Sequence, residues 1–131
     1  MTLPYLIEFS SLGNNDTGFL SIGESNINIP FEIKRVFWTY QTPNDVKRGH
    51  HAHKLTQQVL ICMQGEIEVE TIQKNGDKQL FILTSPRQGL YLPSSSWHTM
   101  VYKNNAIQLV VASELYDPND YIRNFALFMN N

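Results

Sequence analysis

The sequence predicts an all-β domain of sandwich or barrel type that ends in a single short α-helix. Short runs of β-branched and aromatic residues recur between turn signals as far as Ser113. These runs do not alternate with helical patterns as the strands of βαβ units do. Apolar residues spaced by three and four appear after Asp117, at the C-terminal end.

In chain order the candidate strands are Leu6 to Ser10, Gly18 to Ile22, Ile33 to Tyr40, His50 to Lys54, Gln57 to Met63, Ile67 to Gln73, Gln79 to Leu83, Gly89 to Leu92, Thr99 to Lys103 and Ile107 to Ser113. The segments between them are rich in residues that accept turn dihedrals. They include Gly13-Asn14-Asn15-Asp16, Gln64-Gly65, Pro93-Ser94-Ser95-Ser96 and Lys103-Asn104-Asn105. Asn75-Gly76-Asp77 carries the strongest hairpin signal, because Asn-Gly tolerates the positive φ of a tight turn. At the C-terminus Asp117 can cap and Pro118 suits a first helical position. Tyr121, Ile122, Phe125, Phe128 and Met129 then form one apolar face, so a helix is expected over about 118–130, packed on the sheet or on a partner subunit.

With 131 residues and no internal repeat or linker, the chain is read as one domain, 1–131. At 42% hydrophobic and 17% charged it can fill a core. The net charge of −2 and the lack of a Lys/Arg cluster argue against nucleic acid or an anionic membrane as partner, and favour a small-molecule ligand. A single cysteine, Cys62, allows neither an intrachain disulfide nor a Cys-based zinc site. Its apolar neighbours mark it as a core thiol. The N-terminus lacks a basic region followed by an apolar one, and no apolar stretch reaches about 18 residues. A soluble, cytoplasmic protein is expected.

The four histidines fall in two short segments, Gly49-His50-His51-Ala52-His53 and Ser96-Trp97-His98. In a strand, residues two apart share a face, so His51 and His53 can line one cavity while His50 and Ala52 point away. Paired imidazoles suit proton transfer near neutral pH, since an unperturbed pKa of about 6.5 lets each act as acid or base.

The spacing His51-x-His53, four residues, Gln58, six residues, Gly65 resembles the first cupin motif, with Gln58 where that motif usually has Glu. Gly89, Pro93 and His98 resemble the second. The resemblance implies a cupin jelly-roll β-barrel. Three histidines and a carboxylate would suit a divalent metal, but an amide oxygen is a poorer ligand, so no metal is expected. A closer likeness spans nearly the whole chain. Ile29 to Val36, Arg48 to Lys54, Gly89-Leu90-Tyr91, Trp97 to Met100 and Ala112 to Arg123 closely resemble, in the same order, the dTDP-4-dehydro-6-deoxyglucose 3,4-ketoisomerases, also called the WxcM-like family.

That resemblance implies an isomerase needing no cofactor, which moves the ketone of a dTDP-linked 4-keto-6-deoxy sugar from carbon 4 to carbon 3 in deoxysugar biosynthesis for lipopolysaccharide, O-antigen or S-layer glycans. The family's His-Ala-His pair falls on His51 and His53, with His51 the expected base. Arg48 and Tyr91 are candidates to stabilise the enediolate, and Arg35 and Arg48 to bind the diphosphate. Lys54, Trp97 and His98 complete the expected substrate contacts. A homodimer is implied, with N-terminal strands exchanged between subunits. The family's Asp-x-Arg-Gly signature is replaced by Asn15-Asp16-Thr17-Gly18, with Thr17 in the arginine's place. Three other readings rank below it: a sugar-nucleotide 3,5-epimerase, a non-catalytic cupin that binds a sugar or a metal, and, last, a metal-dependent oxygenase.

Overall fold

In the computed structural model, which describes residues 2–130, the strands are β1 (Tyr5–Glu8), β2 (Ser11–Asn14), β3 (Gly18–Ser21), β4 (Arg35–Thr39), β5 (Lys47–His53), β6 (Gln58–Gln73), β7 (Lys78–Leu83), β8 (Gln88–Leu92), β9 (Ser96–Ala112) and β10 (Tyr121–Ile122). A 3-10 turn, Pro118–Asp120, precedes β10, and the helix α1 spans Phe125–Asn130. Among the described residues no helix is long and apolar enough to cross a membrane.

β6 and β9 are each one long strand where the turn signals suggested two. They run antiparallel, with register shifts between Cys62 and Gln64 and between Gln64 and Glu66. Gly65 sits at φ 78°, and Asn104 and Asn105 at φ 59° and 56°. A Cβ on Gly65 would lie 2.6 Å from the Lys103 carbonyl oxygen, so only glycine allows this approach. The turn-prone residues of the two strands therefore meet as facing bulges, which kink the ladder without ending it.

This kink builds the fold. The first half of β6 pairs with β8 and the end of β9, and β1 and β4 extend that sheet. The second half of β6 pairs with β7 and the start of β9, beyond which come β5 and β10. Leu60, Leu90, Leu92 and Val110 from the first sheet pack with Ile67, Val69, Leu83, Met100 and Tyr102 from the second, around the buried thiol of Cys62. Burying each large apolar side chain contributes about 1.5–3 kcal/mol. The result is a jelly-roll-like sandwich, and the hairpin at Asn75-Gly76-Asp77 joins β6 to β7 as expected.

Alternation puts the other side chains outward. Phe9, Ile29, Phe31, Val59, Tyr91 and Val111 form a second cluster on the outer face of the first sheet. β2, which the sequence suggested was a loop, pairs with β3 in a separate two-stranded sheet.

The C-terminal segment departs from the expected helix. Asp117 does cap, accepting from the Asn119 N–H at 2.9 Å, and Pro118 does start a turn. The helix fails to propagate because Tyr121 and Ile122 pair with His53 and Ala52 instead. Helix resumes at Phe125, where the Asn124 side chain accepts from the Leu127 N–H at 3.0 Å. Ile122, Phe128 and Met129 still pack as the periodicity predicts, against Ala52 and Trp97, while Tyr121 turns to the opposite face.

Candidate active site

β5 reaches the site through a bulge. Gly49 lies at φ 96° and His50 at φ 54°, and the register with β9 shifts between Gly49 and His51. A Cβ at Gly49 would stand 2.9 Å from the His98 carbonyl oxygen, so glycine is needed there. His50 is the exposed extra residue, and His51 falls opposite His98. Two residues on, His53 falls opposite Tyr121. His98, His51, His53 and Tyr121 thus gather on one face, with Ala52 on the other. The ring of His51 lies 4.6 Å from that of His98 and 4.9 Å from that of His53, and Tyr121 covers the pair at 5.0 and 4.4 Å.

Each imidazole has one nitrogen committed. Nδ1 of His51 lies 2.9 Å from the Gly49 carbonyl oxygen and Nδ1 of His98 lies 3.1 Å from that of Ser96. Nδ1 of His53 lies 3.1 Å from the Asp120 carboxylate. All three partners are acceptors, so each Nδ1 donates and each Nε2 keeps a lone pair while the ring is neutral. Burial, reinforced by His51 nearby, lowers the His53 pKa to about 4, against the opposing pull of Asp120. Burial and the same neighbour lower His98 to about 3. His51 is lowered by burial and by Arg123, against the Gly49 carbonyl bond. All three rings are neutral at pH 7.

A small cavity of about 80 Å³ lies beneath, lined by His51, His98, Tyr121, Gln58 and Gln108 among others. The Gln108 amide oxygen is buried there without a hydrogen-bond partner. Of the rings that line the cavity, Phe37 carries Arg35 at 5.2 Å, which also stacks on Tyr116 at 5.7 Å, and Tyr121 carries Arg123 at 4.5 Å. The site therefore offers imidazole bases beside guanidinium groups, a setting for proton transfer on an anionic ligand. A larger cavity of about 610 Å³ lies elsewhere, between the β2–β3 hairpin and outer-face residues such as Ile61, Leu109 and Val111. Its apolar lining holds no acid or base pair.

The family model FdtA, described as WxcM-like, C-terminal, matches residues 4–131. The chain belongs to this family. It is 37% identical over 124 residues to the TDP-4-oxo-6-deoxy-alpha-D-glucose-3,4-oxoisomerase of Aneurinibacillus thermoaerophilus, covering 94% of this chain and 88% of the relative. The crystal structure of QdtA, a sugar 3,4-ketoisomerase from Thermoanaerobacterium thermosaccharolyticum in complex with TDP, superposes with a TM-score of 0.92 at 35% identity. The match covers 97% of this chain and 92% of that one. A histidine-to-asparagine variant of QdtA has been crystallised with TDP-4-keto-6-deoxyglucose. A 4-keto-6-deoxy sugar epimerase, NovW of Streptomyces spheroides, covers 90% of this chain and 67% of its own at a TM-score of 0.76. At 14% identity it shares the fold alone.

For this WxcM-like chain the structure unites His51, His53 and His98, with Arg35 close enough for its charge to act on His53. Arg48 is exposed opposite Met100, and its charge acts on Tyr102. Three expected residues lie apart from the histidines. Tyr91 alternates onto the outer face, where its hydroxyl donates to Gln57 at 2.6 Å. Trp97 is buried under α1, with Phe125 and Phe128 at 5.2 and 5.8 Å. Lys54 projects to solvent one residue past His53, and its N–H donates to the Asp120 carbonyl at 2.9 Å. Thr17 lies exposed at the β2–β3 turn, donating to Asn14 at 3.0 Å. Sequence reasoning missed Asp120, Tyr121 and Arg123. The Ala112 to Arg123 block held the signal, but helical periodicity assigned these positions to a packed surface helix.

Proposed function

We propose that this protein is a thymidine-diphosphate-sugar 3,4-ketoisomerase that converts the 4-keto-6-deoxyglucose nucleotide into its 3-keto isomer. The observation that carries this reading is the cluster of neutral imidazoles with free Nε2 lone pairs beside Arg35 and Arg123. His51 removes the carbon 3 proton, and the C–H electron pair becomes the enediolate double bond as charge moves to the carbon 4 oxygen. That oxygen takes the proton back from His51 to give the enediol. His53 then accepts the carbon 3 hydroxyl proton and passes it to carbon 4, which leaves the ketone at carbon 3 and both rings neutral. No redox partner is required, because the substrate is oxidised at one carbon and reduced at its neighbour. Arg35 and Arg123 hold the diphosphate, with Arg48 as a further cation for it. Gln58 stands where a ligating carboxylate would serve a metal, and Asp120 is engaged with His53, so the side chains alone are assigned the chemistry.

The test is NMR of the EDTA-treated protein with the 4-keto-6-deoxyglucose nucleotide in deuterium oxide. Growth of the 3-keto sugar with deuterium at carbon 4 is the expected result. Exchange at carbon 5 instead would establish an epimerase, and no exchange with retained binding would leave a binding protein.

The chain is further proposed to act as one domain in a cytoplasmic homodimer, in a pathway making deoxysugars for a surface glycan. Exposed Trp38 and Val36 continue the apolar outer face of β4, and Leu12, Phe19 and Leu20 are exposed on the hairpin. That hairpin pairs only within itself among the described strands, as a segment available for exchange between subunits would. Light scattering should give twice the chain mass at micromolar concentration, and a monomer would refute the dimer.

A further inference from the structure

Asp120 is distinctive among the described carboxylates. It is buried, with a relative exposure of 8%, and faces a histidine exposed by only 3%. Its Oδ1 accepts the Leu55 N–H at 2.7 Å. Its Oδ2 accepts three donors: the Thr56 N–H at 3.3 Å, the Thr56 hydroxyl, and His53 Nδ1 at 3.1 Å. Burial would raise its pKa, but these donors and His53 outweigh it and hold the carboxyl below its ordinary value. The ion is therefore fully formed where it meets the imidazole.

Comparison with the other two rings separates a structural role from an electrostatic one. His51 and His98 rest on backbone carbonyls, which fix the tautomer but carry no charge. Only His53 rests on an anion, so only His53 has a counter-charge within hydrogen-bond reach when it takes a proton. Its Nε2 is buried with no partner, as a lone pair kept for a ligand would be. Two N–H bonds and a hydroxyl would already fasten the Leu55–Thr56 turn to the 3-10 turn, so the staple does not require the contact with His53.

We infer that Asp120 is the positioning residue of the site, locking His53 in the Nδ1–H tautomer and stabilising its imidazolium when it accepts the hydroxyl proton of the sugar. This rests on the ketoisomerase reading for its catalytic consequence, but the tautomer lock stands without it.

The experiment replaces Asp120→Asn, which keeps shape and the Leu55 bond while placing an amide N–H opposite Nδ1. In wild-type protein labelled with ¹⁵N-histidine, NMR at pH 7.5 should show His53 as the Nδ1–H tautomer, assigned by the signal lost in His53→Asn. In Asp120→Asn the ring should switch to Nε2–H. Turnover should fall by about 100-fold or more with KM within about threefold. Added to His53→Asn, the Asp120 change should cost little further activity, because it acts through that ring. An Nε2–H tautomer in the wild type overturns the inference even if Asp120→Asn does not fold. So does wild-type turnover in a folded Asp120→Asn, or a full independent loss in the double variant. A wild-type protein that leaves the sugar unchanged, with the tautomer switch still seen in Asp120→Asn, refutes the ketoisomerase reading and leaves the lock intact.

Discussion

Lowering the pH from 7.5 to 5 should destabilise the fold by an amount that can be worked from two buried rings. His53 and His98 are held at about 4 and about 3 by burial, so both are neutral in the folded chain at pH 5. In the unfolded chain each has a pKa of about 6.5 and is nearly fully protonated at that pH. Proton binding there stabilises the unfolded state by about 2 kcal/mol per ring. The sign is that of groups with depressed folded values: their contribution is complete above pH 6.5 and is lost as the pH falls toward 4. The two rings together predict a loss of about 4 kcal/mol, or roughly 10–20 °C in Tm for a chain of this size. Asp120, held below the ordinary carboxyl value, keeps its charge in this window. The assay is urea unfolding followed by circular dichroism at half-unit pH steps, at fixed protein concentration. His53→Asn should remove about half of the dependence. A wild-type loss below about 1 kcal/mol would show that the rings take protons without leaving the fold, and would refute the burial argument.

Other expectations follow from the same geometry. His51→Asn and His53→Asn should each lower kcat by about 100-fold or more, whereas Tyr91→Phe should keep kcat within about threefold and cost about 1 kcal/mol of stability from the bond to Gln57. Equal kinetic losses in all three would refute the placement of Tyr91 outside the site. Arg35→Ala should raise KM at least tenfold while changing kcat less, as read from initial rates. The acid limb of kcat/KM should lie below pH 6.5, because burial lowers both His51 and His53. In kcat that limb should lie at least about one unit higher, and coincident limbs would show that bound substrate does not raise the basicity of these rings.

The fold was legible because its signals are local and repeated. Alternation between Val59 and Leu60, or between Leu90 and Tyr91, sorts inner from outer faces along the whole sheet. The bulges were not legible, because Gly65 and Asn104-Asn105 are good turn formers whose conversion into a kink depends on their meeting across β6 and β9. The histidine site was legible from spacing, since His51-x-His53 needs only strand geometry to share a face. Asp120 and Tyr121 were not, because a 3.6-residue period describes Ile122, Phe128 and Met129 equally well as packing on Ala52 and Trp97. Pairing of Tyr121 with His53 lies 68 positions away in sequence terms, and no local pattern encodes it.

A buried neutral imidazole is a weak base, and the site needs a means of strengthening it when substrate is present. Part of the lowering at His53 comes from Arg35, and part of that at His51 from Arg123. On the proposed binding mode, a diphosphate between those guanidinium groups cancels their charge. For a phosphate charge placed about 7 Å from the ring, with an effective dielectric near 20, Coulomb's law favours an imidazolium by about 2 kcal/mol, more than one pKa unit. A ligand that covers the site also removes water, which acts in the opposite direction. For His53 that cost is largely spent already, since the ring is only 3% exposed before anything binds. Charge therefore outweighs desolvation, and the histidine gains basicity on binding. On that binding mode the anion that identifies the substrate also strengthens His53 for its proton transfer, with Asp120 holding the ring so that the gain falls on Nε2.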